Sequence, residues 1–174
     1  IDTSSLALQY NHGLPRPVYW VLWLWQRLRG EVLVNDGRVL LTRHHNGYQL
    51  LLRNVVVFNP LLSSEEAFIQ RFRQQYHLHL KGMRGKWRIK CHLFDQHNGA
   101  LYPLLEGVGS ESGPDEEMWR WIAHKARPTL SLYDERIDDG WQLTESLESN
   151  ALVLYEFTPL VPLEAETEEI HSPR

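Results

Sequence analysis

The order of apolar and polar residues in the first half of the chain predicts a hairpin, a third strand and a helix. Residues 31–45, EVLVNDGRVLLTRHH, contain two β-rich runs on either side of an Asn-Asp-Gly turn. An Asp-Gly pair between such runs predicts a hairpin, because both turn residues tolerate a positive φ. Residues 47–58 continue as an extended run, and Pro60 ends it. Apolar residues at helical spacing then predict a helix over residues 64–77.

The second half of the chain predicts further strands and short helices. Residues 86–95 and 100–107 have the pattern of a second hairpin. The later runs are interpreted as a short strand at 118–124, short helices at 126–137 and 141–149, and a strand or helix end at 151–157. This order predicts an α/β fold in which a mixed sheet is flanked by helices.

Composition narrows the class of protein. The chain has 174 residues, of which 43% are hydrophobic and 23% charged, which is typical of one globular domain with its own core. The net charge of −4 argues against a protein dedicated to binding nucleic acid or anionic membranes, although a local basic patch is compatible with it. Cys91 is the single cysteine and excludes an intrachain disulfide. We therefore expect an intracellular, cytoplasmic protein.

Three regions differ in character along the chain. Residues 1–27 are predicted to be an aromatic-rich N-terminal extension, 28–160 the folded domain, and 161–174 an acidic, disordered tail. The apolar run 18–25 is too short to span a membrane. Its tryptophans are candidates either for covering a partner surface or for packing in the domain's own core, since aromatic residues are enriched in both places.

The string SSEEAFIQRFRQQYHLHL, residues 63–80, resembles the helix of the Nudix hydrolase family. The run VLVNDGRVLLTRHHNGYQL resembles the opening hairpin of that family, and EEMWRWIAHKARPTL is similar to its late strand and the helix that follows. The resemblance extends over about residues 28–130 and implies a Nudix-like α/β/α sandwich.

The residues that define the Nudix box are lost, while its apolar positions Phe72 and Leu78 are kept. The family's glycine, arginine and glutamate positions fall on Val56, Leu62, Gln70, Arg71, Gln74, Gln75 and His77. Nudix helices bind divalent metal through carboxylates, because hard cations prefer anionic oxygen ligands. We therefore expect a catalytically inactive Nudix-like domain, a pseudoenzyme without catalytic residues, metal or cofactor.

The resemblance implies that a nucleotide-binding cleft persists beside the lost box. The candidate ligand-binding residues are Arg53, Arg71, Trp87 and Tyr102. Our first hypothesis is a binding or scaffolding module that acts through protein–protein contacts, as a subunit of a complex, and retains this cleft.

Two alternatives remain at this stage. One is a divergent hydrolase of nucleoside-diphosphate-linked compounds, with relocated carboxylates from Glu65, Glu66, Glu106, Glu116 and Glu117. The other is a module that binds RNA or a nucleotide. Strand alternation puts Lys86, Arg88 and Lys90 on one face, which is either a phosphate or acidic-partner patch or a solvated strand face.

The nine histidines do not predict a metal site. His44 and His45 are adjacent, and His77 and His79 are two residues apart, so neither pair has the i, i+4 spacing of a helical metal site. We interpret the histidines as scattered surface residues.

Overall fold

Eight strands and three short helices make up the part of the chain that the computed structural model describes, which is residues 8–9, 13–45, 47–57, 70–106 and 113–160. The helices are α1 (Pro17–Trp25), α2 (Tyr102–Glu106) and α3 (Glu116–Lys125). The strands are β1 (Glu31–Asn35), β2 (Val39–His44), β3 (Gly47–Arg53), β4 (Gln74–Leu80), β5 (Gly85–Phe94), β6 (Thr129–Ile137), β7 (Trp141–Leu147) and β8 (Leu152–Pro159).

Two antiparallel sheets pack face to face. The larger has six strands in the order β1-β2-β3-β8-β5-β6, and the smaller is the pair β4-β7. The chain is thus a mixture of α and β structure with a mostly antiparallel sheet and few helices, which confirms the coarse part of the predicted fold class. The finer prediction of a Nudix-like α/β/α sandwich is not confirmed by this arrangement.

The two faces of the six-stranded sheet are both covered by apolar side chains. Strand β8 shows why, because Val153, Tyr155 and Phe157 point between the sheets while Leu154 points to the other face. There Leu154 belongs to the same apolar cluster as Leu24 of α1, which is completely buried. Part of the predicted N-terminal extension therefore packs on the domain.

The opening hairpin is confirmed. β1 pairs with β2 around the turn, where the Asp36 carboxylate accepts hydrogen bonds from the backbone N–H groups of Arg38 (2.8 Å) and Val39 (2.7 Å). Gly37 has a φ of +90°, and apart from its two chain neighbours no described residue has an atom within 4 Å of the position that a Cβ would occupy there. The final strand at 151–157 is also confirmed, as β8.

The helix predicted over 64–77 is wrong in its last part. Residues 74–80 form strand β4, paired with β7 along its whole length. Tyr76, Leu78 and Leu80 face the core at every second position, and the residues between them face outward. The period of two competes with the helical period in this string, and pairing with β7 decides it. Residues 64–69 lie outside the described residues, as does the tail at 161–174.

Four predictions in the second half are also wrong. The predicted strand at 118–124 lies in helix α3, because Asp115 caps the backbone N–H of Met118 at 2.8 Å. The predicted helices at 126–137 and 141–149 contain β6 and β7. The second arm of the predicted second hairpin contains α2 instead. For β6 the physical reason is its nine residue pairs with β5, since tertiary pairing overrides local propensity.

No helix in the described ranges has both the length and the apolar character needed to cross a membrane.

Candidate anion-binding site

Four arginines from three chain segments line one cavity of about 540 Å³. Its walls are the β1–β2 turn, the residues that follow β3, and residues 71–74 at the start of β4. The charged lining residues are Asp36, Arg38, Arg53, Arg71 and Arg73. Such a concentration of guanidinium groups suits phosphate and carboxylate ligands, which arginine can bind through two parallel hydrogen bonds.

A buried asparagine ties the walls of this cavity together. The side-chain N–H groups of Asn54 donate to the carbonyl oxygens of Phe72 (2.7 Å), Leu147 (3.1 Å) and Glu148 (2.9 Å). The hydroxyl of Tyr76 donates to the carbonyl oxygen of Arg53 at 2.8 Å. The end of β3, the start of β4 and the end of β7 are therefore held in fixed relation.

Three of the four arginines are oriented by contacts at the cavity wall. Arg38 Nη1 donates to Gln74 Oε1 at 3.0 Å, and Arg53 Nε donates to the carbonyl oxygen of Gly37 at 2.5 Å. Arg73 Nη2 lies 2.9 Å from Glu148 Oε1 in an ion pair. Arg71 is exposed and forms no ion pair within the described residues. An incoming anion would thus meet guanidinium groups that are already partly positioned.

The charges of the cavity do not balance. Hydrogen bonds from the backbone N–H groups of Val39 and Arg38 lower the pKa of Asp36, so its carboxylate is ionised at neutral pH. Asp36 and Glu148 offset two of the four arginine charges. Two positive charges remain in excess, which is the electrostatic condition for holding an anion.

The structure brings together two of the four predicted ligand-binding residues. Arg53 and Arg71 line the cavity, but Trp87 and Tyr102 do not. Trp87 is buried in the core, 5.9 Å from the ring of Tyr48, and its indole N–H donates to the Arg84 carbonyl oxygen at 3.0 Å. Tyr102 lies on α2 and is 74% exposed.

The lost Nudix-box positions are divided between the cavity and the β4–β7 pair. Val56 and Gln74 line the cavity beside Arg71. On the outer face of β4, Gln75 donates to Ser146 Oγ at 2.9 Å, and His77 Nδ1 is 3.3 Å from Thr144 Oγ1. Gln70 immediately precedes Arg71, and Leu62 lies outside the described residues.

Sequence reasoning missed Arg38 and Arg73. Arg38 reaches the cavity because β2 and β3 pair in register, so that the backbone N–H of Arg53 donates to the Arg38 carbonyl oxygen at 2.9 Å. Pairing the predicted strands with each other would have found this neighbour. Arg73 carries no comparable signal, because its place depends on the fold of the β4–β7 pair.

The predicted basic patch lies on one face of β5, as strand alternation requires. Two of its three charges are already paired, since Lys86 Nζ and Arg88 Nε lie 3.7 and 3.0 Å from the carboxylate of Asp134 on β6. Hydrogen bonding and charge from Arg88 lower the pKa of Asp134. The third, Lys90, lines a different polar cavity.

That second cavity, of about 310 Å³, contains a carboxylate held by three donors. Glu156 accepts from Arg27 Nη2 (2.8 Å) and Gln49 Nε2 (3.2 Å), and its Oε2 lies 3.2 Å from His92 Nε2. Burial acts to raise the pKa of Glu156, but hydrogen bonds from His92 and Arg27 outweigh it and lower the pKa to about 2. The Arg27 guanidinium lies 4.8 Å from the ring centroid of Trp23. The Glu156 carboxylate thus forms its hydrogen bonds with side chains of the chain itself.

The acids of the hydrolase hypothesis do not surround the arginines. Glu106 is at the end of α2, and Glu116 and Glu117 begin α3, and none of them lines the arginine cavity. Glu65 and Glu66 are outside the described ranges. Among the residues that the structure describes, no three His, Cys, Asp or Glu side chains are grouped so as to hold a metal ion.

No family model matches the chain. It is similar to uncharacterized HTH-type transcriptional regulators of Staphylococcus aureus, from strains COL and N315, with 27% identity over 154 residues. The match covers 88% of this chain but 21% of each regulator, so the chain spans about a fifth of the length of these relatives.

The fold is similar to part of several glycoside hydrolase structures. The GH39 enzyme from Xanthomonas axonopodis pv. citri matches with a TM-score of 0.71 and 13% identity, over 88% of this chain and 32% of that one. A monomeric beta-xylosidase from Caulobacter crescentus CB15 matches with a TM-score of 0.68 and 14% identity, over 89% of this chain and 33% of that one. At these identities the likeness concerns the fold alone. The fold of this chain therefore matches a segment that makes up about a third of each of these enzymes. Its sequence is similar to a segment that makes up about a fifth of each regulator.

Proposed function

We propose that this chain is a non-catalytic binding module that captures a phosphate or carboxylate group in its arginine-lined cavity. The observation that carries the proposal is the convergence of Arg38, Arg53, Arg71 and Arg73 with Asp36 in one cavity. The excess of positive charge attracts the anion, and the fixed walls of the cavity orient the arginine side chains that bind it. Both are needed, because an exposed single arginine binds anions weakly.

The similarity to HTH-type regulators supports a role within a longer regulatory polypeptide. In this proposal the anion is a signal that the module senses, and the module acts as a scaffold for protein–protein contacts in the cytoplasm. The predicted Nudix-like nucleotide cleft remains part of the proposal, since Arg53 and Arg71 belong to the same cavity. RNA binding by the β5 patch is less favoured, because Asp134 offsets two of its charges.

Calorimetric titration with inorganic pyrophosphate at low salt tests the proposal. The variants are Arg38→Ala and Arg71→Ala, and the matched control is Arg136→Ala, an exposed arginine of β6 that does not line the cavity. Loss of one charged hydrogen-bond donor costs about 1.5–3 kcal/mol, so we expect affinity to fall roughly tenfold or more in either variant. The control should bind like the parent chain.

Two results would contradict the proposal. Absence of pyrophosphate binding at low salt, or an equal loss in the Arg136→Ala control, would remove the anion site. Metal-dependent release of product from nucleoside-diphosphate-linked compounds, with magnesium or manganese added, would contradict the non-catalytic part and favour the divergent hydrolase.

A further inference from the structure

The two sheets of the sandwich differ in width, and the smaller covers one side of the larger. Adjacent strands lie about 4.8 Å apart, so a pair of strands cannot cover a sheet of six. The β7 side of the pair is anchored toward β8 and β6, where Tyr155 donates to Glu145 Oε2 (2.8 Å) and Trp141 donates to Glu135 Oε2 (3.1 Å). Leu50 and Leu52 of β3 are buried between the sheets, whereas the inner face of β1 and the adjoining part of β2 lie beyond the edge of β4.

An apolar groove of about 340 Å³ runs along that edge. Leu33, Val34 and Leu41 line it on the side of the large sheet, and Leu78 and Leu80 line it on β4. Leu33 is 40% exposed and Val34 44% exposed, although both are apolar residues of the opening hairpin. Contiguous exposed apolar surface of this kind is a feature of interaction sites.

Within the described residues, the groove is bordered by a strand edge that has no partner strand. Among the described strands, β4 pairs with β7 alone, so its other edge presents backbone N–H and C=O groups along the groove. Natural edge strands are commonly protected by lysine or proline. The sequence of β4, QQYHLHL, contains neither, and the lysine that lines the groove, Lys81, lies just beyond the end of the strand. An extended peptide could therefore be added to this edge, with main-chain hydrogen bonds for affinity and the groove for its side chains.

The groove leads to the arginine cavity. Asp36 lines both, and Gln74, at the start of β4, lines the cavity. Every strand pairing in the described sheets is antiparallel. A peptide added antiparallel to β4 would begin near Leu80 and end near Gln74, with its C-terminal residues among the arginines.

We propose that the groove binds an extended segment of a partner protein in which alternating apolar residues are followed by acidic residues. The segment pairs with β4 as a further strand, packs its apolar side chains against Val34 and Leu41, and places its carboxylates in the arginine cavity. This proposal rests on the proposed function, because it identifies the anionic group of that site as the acidic end of a peptide.

A synthetic peptide of alternating threonine and valine that ends in two glutamates is the probe. Val34→Glu places a charge in the groove, and Leu132→Glu is the matched control, since Leu132 is a 58% exposed leucine on β6 outside the groove. We expect Val34→Glu to weaken peptide binding at least tenfold and the control to leave it unchanged. Retained pyrophosphate binding by Val34→Glu would show that the variant is folded.

A second peptide with glutamines in place of the glutamates tests the acidic end. It should bind roughly tenfold more weakly than the first, and Arg71→Ala should then have no further effect on it, because the two changes remove the same interaction. Amide exchange should slow along β4 when the first peptide is bound.

The outcomes separate the two proposals. Pyrophosphate binding without peptide binding would overturn the peptide partner and leave the anion site in place. Peptide binding that is indifferent to glutamine replacement, in a chain that does not bind pyrophosphate, would overturn the anion site and the acidic end together. A dimer of the chain alone that Val34→Glu dissociates would assign the groove to a second copy and overturn the partner segment.

Discussion

The side-chain nitrogen of Asn54 lies 2.7 Å from the carbonyl oxygen of Phe72, and this contact joins the end of β3 to the start of β4. Asn54 is 8% exposed, so its amide has exchanged water for protein carbonyl groups. The two segments that it joins carry Arg53 and Arg71, the two arginines that the sequence predicts as ligand-binding residues of the cleft. One buried amide thus couples the stability of the domain to the geometry of the arginine cavity.

Replacement of Asn54 by alanine should lower both stability and anion affinity. The carbonyl oxygens of Phe72, Leu147 and Glu148 would lose the hydrogen bonds from the Asn54 amide, and the loss of buried hydrogen bonding costs about 1–3 kcal/mol. Urea unfolding measures the free energy, and pyrophosphate titration measures the affinity. The control is Asn35→Ala at the exposed turn, where the asparagine accepts one long hydrogen bond of 3.4 Å from Gly37. An equal effect of the two substitutions would contradict the role of Asn54.

The local features of this region could be predicted from the sequence, but the way in which its strands pair with one another could not. The hairpin before Arg53 follows from an Asp-Gly turn, whose hydrogen bonds are formed within a few residues. The strand β4 does not follow from its own residues, because the string before it has helical spacing and the strand gains its stability from pairing with β7, which is more than sixty residues away. Sequence periodicity detects a turn whose hydrogen bonds are local, but it does not detect a strand that depends on a distant partner.

The same distinction holds for the candidate site. Arg53 and Arg71 are predicted from the cleft that the resemblance to the Nudix family implies, and the cavity does contain both. Trp87 is predicted together with them. Its side chain faces the core, however, because β5 alternates between buried and exposed positions in that part of the strand. Charge and aromatic content identify candidate residues. Which of these side chains come together in one site depends on the register of the sheet, and that register is set by pairing between strands that are distant in the sequence.

Gly47 should tolerate no side chain, whereas Gly82 should tolerate one. Gly47 has a φ of +139°, and a Cβ there would lie 1.8 Å from the carbonyl oxygen of Phe157 on β8. Gly82 has a φ of +82° but open space around it. We expect Gly47→Ala to destabilise the chain by about 3 kcal/mol or more, through a clash added to backbone strain, and Gly82→Ala by about 1 kcal/mol. Urea unfolding of both variants measures the difference, and equal costs would contradict this account of β3–β8 packing.

Cys91 should react slowly with thiol reagents while the chain is folded. Burial raises the pKa of its thiol, and the charge of Glu145 adds to the effect, although a hydrogen bond with Tyr155 acts against them. The thiolate is the reactive form, so its fraction at pH about 8 is smaller than in an unfolded chain. Alkylation followed by mass spectrometry should be roughly severalfold slower in the native chain than in concentrated guanidinium chloride. Equal rates would mean that the thiol is exposed and unperturbed.

Glu156 should make the chain sensitive to acid through its contacts with Arg27 and His92. Its pKa is about 2 in the folded chain, compared with 4.5 for an ordinary glutamate side chain. The unfolded chain therefore binds more protons between these values, so the stabilisation is complete above pH 4.5 and is lost as the pH falls to 2. The difference corresponds to at most about 3 kcal/mol, for a side chain that is 18% exposed. Glu156→Gln should lower stability at neutral pH and flatten the loss of stability in acid.

The matched control for this prediction is Glu31→Gln. Glu31 also forms an ion pair with an arginine, Arg43, at 2.8 Å, but its side chain is 64% exposed. Solvent screens such a pair, so its removal should change stability by less than about 1 kcal/mol and leave the acid dependence intact. Urea unfolding of the parent chain and both variants, repeated at several pH values, supplies the comparison. If Glu156→Gln and the parent chain lose stability in parallel as the pH falls, the carboxylate is not held by the Arg27 and His92 contacts in solution.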